Sequence, residues 1–118
     1  EIGGSSHNGA VLLEARRAGS EKEAVINVRF VEGLEEALSI MGLRYRRVVR
    51  RDGVPIESRE NELLEEVRKA FSRNPELDVL IDPGAFGIEP TTYVFGASAK
   101  QAARTVIELG EMLLEATT

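Results

Sequence analysis

Four short strand-like runs are interleaved with amphipathic helical segments along this chain, and that alternation limits it to few folds. Ser5–Gly19 reads as a first helix, with Ser5 or Ser6 as its cap and Gly19-Ser20 as its stop. Ala10, Leu13 and Arg17 recur at helical spacing, and Val11 and Leu12 widen the apolar face. Ala24–Phe30 is a β-branched run; Val25, Asn27 and Arg29 share one face, Ile26, Val28 and Phe30 the other. Val31–Met41 is a short helix with Leu34, Ala37, Leu38 and Met41 inward, ended by Gly42. Arg44–Arg50 is a second strand, closed by an Asp52-Gly53 turn and by Pro55. Glu57–Phe71 is a charged helix burying Leu63, Leu64, Val67, Ala70 and Phe71, and Asn74-Pro75 stops it. Asp78–Ile81 is apolar enough to be buried on both faces. After the Gly/Pro loop Asp82–Pro90 come a strand, Thr91–Phe95, and a long helix, Ala97–Thr118. Ala102, Val106, Leu109 and Leu113 form that helix's stripe.

The order α-β-α-β-α-β-β-α predicts a layered α/β fold with helices on the sheet. The sheet should be mixed, because Asp82–Pro90 is too short for a helical crossover between its flanking strands. At 118 residues the chain is one domain, with 42% apolar and 30% charged residues.

Composition then removes whole classes of chemistry. There is no cysteine, so disulfides, thiolate zinc sites and a cysteine nucleophile are excluded. A single histidine, His7, excludes a His-rich metal cage. No zinc spacing, Walker loop or Ser-His-acid order is present, and no metal site is expected. A net charge of −5 argues against direct nucleic-acid binding. No apolar run approaches a membrane span and no leader pattern opens the chain, so a cytoplasmic location is the default. Twelve arginines against three lysines fit a thermophile or a GC-rich genome equally well. A chain that opens on Glu1 reads as part of something longer.

Four segments could carry chemistry. Gly3-Gly4-Ser5-Ser6-His7-Asn8-Gly9, at a helix start, would offer free N–H groups, hydroxyls and His7 to a phosphate; the bland alternative is a capped helix start. In Asp82-Pro83-Gly84-Ala85-Phe86-Gly87-Ile88-Glu89-Pro90, an aromatic beside a carboxylate suits a heteroaromatic ring, although Gly and Pro also serve a plain turn. The run Arg44, Arg46, Arg47, Arg50, Arg51 could clamp a phosphate; a charged edge strand or solvated face explains it better. Asn27, an amide in an apolar strand, must find a structural partner or a ligand. The run Glu57–Glu62 reads as a solvated helix start. His7 is the first suspect for any proton transfer.

Three of these segments together resemble one family. Gly4-Ser5-Ser6-His7 opening a helix, then Ala24–Phe30, then Asp82–Pro90 running into Tyr93-Val94-Phe95-Gly96, look like the ThiN-type thiamine-phosphate synthase domain. The resemblance implies a three-layer α/β/α fold like the class II aldolases. It implies a single ThiN-like domain over residues 1–118 without the family's upstream part, which carries a functional arginine. The family's enzymes join hydroxymethylpyrimidine diphosphate to thiazole phosphate, releasing pyrophosphate, with magnesium accompanying the diphosphate and no intrinsic cofactor. Related domains stand behind a kinase, or behind a helix-turn-helix domain where they sense thiamine phosphate. By resemblance, His7 corresponds to a functional histidine and Glu89 to the loop acid. Gly4, Ser5, Ser6 and His7 would take the phosphate. Phe86 and Glu89 would take the rings, within a ligand set that also includes Asn27, Asp82, Gly84 and Gly87. Two positions depart from the family: Ala10 stands where it has arginine, and Ile88 where it has lysine. Fewer cations suit thiamine monophosphate better than a departing pyrophosphate. The expectation is a thiamine monophosphate-binding, ligand-sensing domain, with synthase activity on the pyrimidine and thiazole precursors as the alternative. A third alternative is a structural module that forms a homodimer through Val106, Leu109 and Leu113, although a plain core helix explains that stripe better.

Overall fold

The computed structural model describes residues 2–29 and 31–117, with side chains from 7 to 29 and 31 to 115. Phe30 and Thr118, the expected ends of the first strand and last helix, lie outside the described residues. The elements run α1 (Ile2–Arg17), β1 (Ala24–Arg29), α2 (Leu34–Ile40), β2 (Tyr45–Arg47), α3 (Arg59–Arg73), β3 (Val79–Asp82), β4 (Thr91–Gly96) and α4 (Ala99–Thr117). A 3₁₀ turn, Ile56–Ser58, leads into α3. Every predicted element exists, and no boundary shifts by more than three residues.

The sheet order is β1-β4-β3-β2, mixed as the short Asp82–Pro90 connection requires. β3 and β4 pair antiparallel, β4 and β1 antiparallel, and β2 and β3 parallel. The register Val79↔Val94 and Val25↔Phe95 sorts side chains to two faces. One face carries Val25, Leu80, Tyr93 and Phe95 and packs against Val11 and Ala15 of α1 and Leu63, Val67 and Phe71 of α3. The other carries Val28, Val79, Ile81 and Val94 and packs against Leu34 and Leu38 of α2 and Leu109 of α4. The result is a three-layer α/β/α arrangement, with β3 buried along its whole length. No described helix is long and apolar enough to cross a membrane.

The packing decides three expectations, two of which it corrects. Helix α1 is already under way at Ile2, so Ser5 and Ser6 lie inside it and are not its caps. Its inward face is Val11, Glu14 and Ala15; Leu13 is 49% exposed, and Arg17 points to solvent. With three glycines in its first eight residues α1 is intrinsically weak, and tertiary contacts hold it. One is a 2.6 Å bond from Arg68 Nε on α3 to the buried Glu14 carboxylate. The second concerns α4, whose stripe of Ala102, Val106, Leu109 and Leu113 is turned into the core, as the plain core-helix reading expects. The third is β2, which is only three residues long. It is an edge strand, as charge patterning suggested for Arg46 and Arg47, and Arg47 pairs with Glu35 of α2. Past its end, Val48 N–H still donates to Ile81 O at 2.9 Å, while Val49 N–H turns outward to Glu66 Oε1 at 3.2 Å.

A tight backbone approach joins β4 and α4. A Cβ on Gly96 would sit 2.6 Å from the Ala102 nitrogen and 2.9 Å from its Cα. Backbone cannot yield to it. Gly96→Ala should therefore destabilise by about 1–3 kcal/mol, lowering the urea midpoint at unchanged slope. Gly110→Ala, in the interior of α4 with nothing within 4 Å of its Cβ, should instead stabilise by about 0.5–1 kcal/mol.

Candidate functional site

A cleft of about 480 Å³ opens where β3 ends and β4 begins, on the face covered by α1 and α3. It lies beyond the carboxyl ends of the parallel pair β2 and β3, where α/β sheets place ligands. Its walls are His7 from α1, Arg50 from the segment after β2, Arg59 and Glu60 from the start of α3, Asp82 from β3, Gly87, Ile88 and Glu89 from the loop, and Thr91 and Tyr93 from β4. A groove of about 390 Å³ beside β2 is also lined by arginines, Arg46, Arg47, Arg51 and Arg73, but none of the predicted ligand residues reaches it.

At the floor of the cleft lies a buried charge cluster. The Arg50 side chain is 5% exposed. Its Nη1 donates to Glu62 Oε1 at 3.2 Å and to the Arg59 carbonyl at 3.0 Å. Its Nε faces Asp82 Oδ1, also at 3.2 Å. Glu62 accepts further from the Arg51 backbone N–H at 2.9 Å. Asp82 Oδ1 accepts from Gly84 N–H at 2.9 Å, a turn that starts the loop. One guanidinium thus joins the end of β2, the start of α3 and the end of β3. Burial pushes the Asp82 carboxyl above its ordinary value of 3.8; the Gly84 N–H and Arg50 oppose the rise, and Glu62 adds to it.

Above this floor, His7 Nε2 lies 2.7 Å from the Tyr93 hydroxyl. His7 Nδ1 lies 3.8 Å from Glu60 Oε2. Tyr93 is 3% exposed, and burial, then the neighbouring Asp82, pushes its hydroxyl up to about 12. The next helical residue, Asn8, donates from Nδ2 to Asn27 Oδ1 at 3.2 Å. Asn27 and Tyr93 are register partners across β1 and β4. Two consecutive residues of α1 are therefore bonded to the two members of one cross-strand pair, which fixes the helix over the cleft. The Asn8 carbonyl oxygen is buried without a partner.

The loop is pinned at three points. Gly84 has φ 77°, and a Cβ there would meet the Ile88 carbonyl at 2.4 Å, so only glycine fits. Ala85 and Ile88 exchange backbone hydrogen bonds at 2.8 and 3.2 Å, which leaves Phe86 and Gly87 as the turn tip. Arg59 reaches the carbonyls of Phe86 and Gly87 at 3.4 and 3.5 Å, long bonds that hold its guanidinium loosely.

Of the residues named from sequence, His7, Asp82, Gly87 and Glu89 line the cleft together. Gly84 shapes the loop behind it. Phe86 stands at the tip, 91% exposed and outside the lining, and Asn27 is occupied by Asn8. Gly4, Ser5 and Ser6 belong to the first turns of α1, and their side chains lie outside the described residues. Sequence reasoning undervalued Arg50 and missed Arg59, Glu60, Glu62 and Tyr93. Arg50 keeps the strand parity of the buried Val48, and Glu62 begins the inward face that continues through Leu63 and Val67; those were the available signals. Among the described residues, no group of three or more His, Asp or Glu side chains is placed to hold a metal ion.

A family model described as thiamine-phosphate synthase ThiN matches residues 1–108. Two solved structures have a similar fold. The C-terminal domain of phosphomethylpyrimidine kinase aligns with TM-score 0.71 and 22% identity, over 87% of this chain and 60% of that one. The C-terminal domain of protein MJ0236 aligns with TM-score 0.74 and 21% identity, over 92% of this chain and 59% of that one. The chain thus spans about three-fifths of each solved domain. No curated protein sequence matches it.

The charge cluster makes two predictions. Arg50→Met leaves buried Asp82 without its cation and Glu62 with the exposed Arg51 alone, and should cost about 3–5 kcal/mol, read from urea midpoints. Asp82, with its folded value raised, binds its proton more tightly folded than unfolded. Its contribution to stability is complete below the ordinary carboxylate range and is lost as pH rises through the raised value. The stability of the native protein relative to Asp82→Asn should therefore fall as pH rises above the ordinary carboxylate range. A flat or rising difference would contradict the burial argument.

Proposed function

The chain belongs to the ThiN family, and on that premise we propose that its cleft binds thiamine monophosphate, as the ligand-sensing part of a transcriptional regulator. The supporting observation is the charge of the cleft wall: Arg50 and Arg59 stand against Glu60, Asp82 and Glu89. Arg50 is already spent on Glu62 and Asp82. That leaves Arg59, loosely held, and His7 as donors for an anionic group. One phosphate ester with a thiazolium cation in the same molecule suits such a wall. The cation is drawn to the carboxylates, the phosphate to Arg59 and His7. Ile56 at the rim is 77% exposed and Phe86 at the loop tip 91%, apolar surfaces against which a pyrimidine can lie. Glu89 supplies an acceptor for its amino group.

The alternative is synthase activity on hydroxymethylpyrimidine diphosphate and thiazole phosphate, which the name of the matching family model favours. Magnesium would then enter as part of the diphosphate substrate. The wall charge disfavours this reading, because a departing pyrophosphate needs more cation than Arg59 and His7 provide. Pyrophosphate release on mixing both precursors with magnesium would establish the alternative.

Titration calorimetry should give saturable binding of thiamine monophosphate, at least about tenfold tighter than thiamine. Arg59→Ala should remove most of that preference while leaving thiamine binding nearly unchanged. Equal affinities in the native protein would sink the phosphate assignment.

A further inference from the structure

The two contacts of the His7 ring decide which of its nitrogens carries the proton, and they agree. The Tyr93 hydroxyl has no other hydrogen-bond partner among the described residues, and it is buried. If His7 Nε2 donated to it, the hydroxyl proton would be left without an acceptor in a buried site, which is costly. The bond at 2.7 Å is satisfied when the hydroxyl donates and Nε2 accepts. The other nitrogen, Nδ1, faces the Glu60 carboxylate at 3.8 Å. A bare lone pair there would be repelled by the carboxylate; an N–H would be attracted. Tyr93 from β4, Glu60 from α3 and Asp82 from β3 are the titratable groups around the ring. The two that contact its nitrogens, Tyr93 and Glu60, favour the same tautomer.

We infer that Tyr93 is a positioning residue that locks neutral His7 with its proton on Nδ1, so that His7 offers the cleft a hydrogen-bond donor and is unavailable as a general base. The basic nitrogen is consumed by Tyr93. His7, the first suspect for any proton transfer on sequence grounds, is left in the neutral form with donation alone. The Tyr93 bond reverses the tautomer that free histidine favours in water. Glu60 holds the N–H turned to the cleft, where an anionic ligand group would compete for it. That last step rests on the phosphate-ligand reading; the tautomer does not.

The protein has one histidine, so the test has a single ring to observe. Neutral His7 in ¹⁵N-histidine-labelled protein should show a protonated Nδ1 and an unprotonated Nε2. Tyr93→Phe should shift the ring toward the Nε2–H form and weaken thiamine monophosphate binding roughly fivefold, with thiamine unaffected. Glu60→Gln, at an exposed position, should keep the native tautomer. A native ring protonated on Nε2, or a Tyr93→Phe ring identical to the native one, overturns the proposal. Should Tyr93→Phe not fold, a through-bond correlation from the Tyr93 hydroxyl proton to His7 Nε2 in the native protein decides the same point, and its absence overturns the assignment. Failure of the native protein to bind thiamine monophosphate would remove the ligand reading and leave the tautomer result standing.

Discussion

A single buried guanidinium organises one end of this molecule. Arg50 lies between Glu62 and Asp82, and through them it connects the chain leaving β2, the first turn of α3 and the last residue of β3. None of those three segments is bonded to the other two by sheet pairing at that point. Glu62 also receives the Arg51 side chain at 3.4 Å, whereas Asp82 shares Arg50 in a poorly solvated place, and burial raises its carboxyl despite that cation. Such an arrangement is rarely the most stable filling of a core. Its effect here is to set polar walls for a cleft that apolar residues would have closed.

The wall above it is built by a different device. β1 and β4 present Asn27 and Tyr93 side by side, and α1 meets them with Asn8 and His7. A helix rich in glycine and serine would not hold its position through packing alone; these two bonds and the Glu14–Arg68 pair fix it. The cleft therefore joins two independent constructions, a charge cluster between β3 and α3 and a polar docking of α1 on the sheet. The family match extends over both, whereas the solved relatives, at 22% and 21% identity, speak for the fold alone.

The layers and the mixed sheet were legible because they follow from local pattern. Val79 to Ile81 could only be a buried strand, and nine residues from Asp82 to Pro90 could only return antiparallel. The start of α1 was not legible, because Gly-Gly-Ser-Ser resembles a cap wherever it occurs. The site was legible in half. His7, Asp82 and Glu89 stood out as chemistry beside glycines. Arg50, Arg59 and Glu62 sat in charged runs that look solvated on any one element. They come together only where three elements converge, and nothing within a window of sequence reports that convergence.

The outward turn of Val49 has a consequence for how the sheet meets other chains. An edge strand exposes a row of donors and acceptors that any extended peptide can adopt. Here the strand is three residues long, and the first outward N–H beyond it is already bonded to Glu66 of α3. A strand arriving at β2 would have to displace a carboxylate and approach Arg46, which faces solvent. One glutamate side chain thus occupies the donor on which a further strand would have to build.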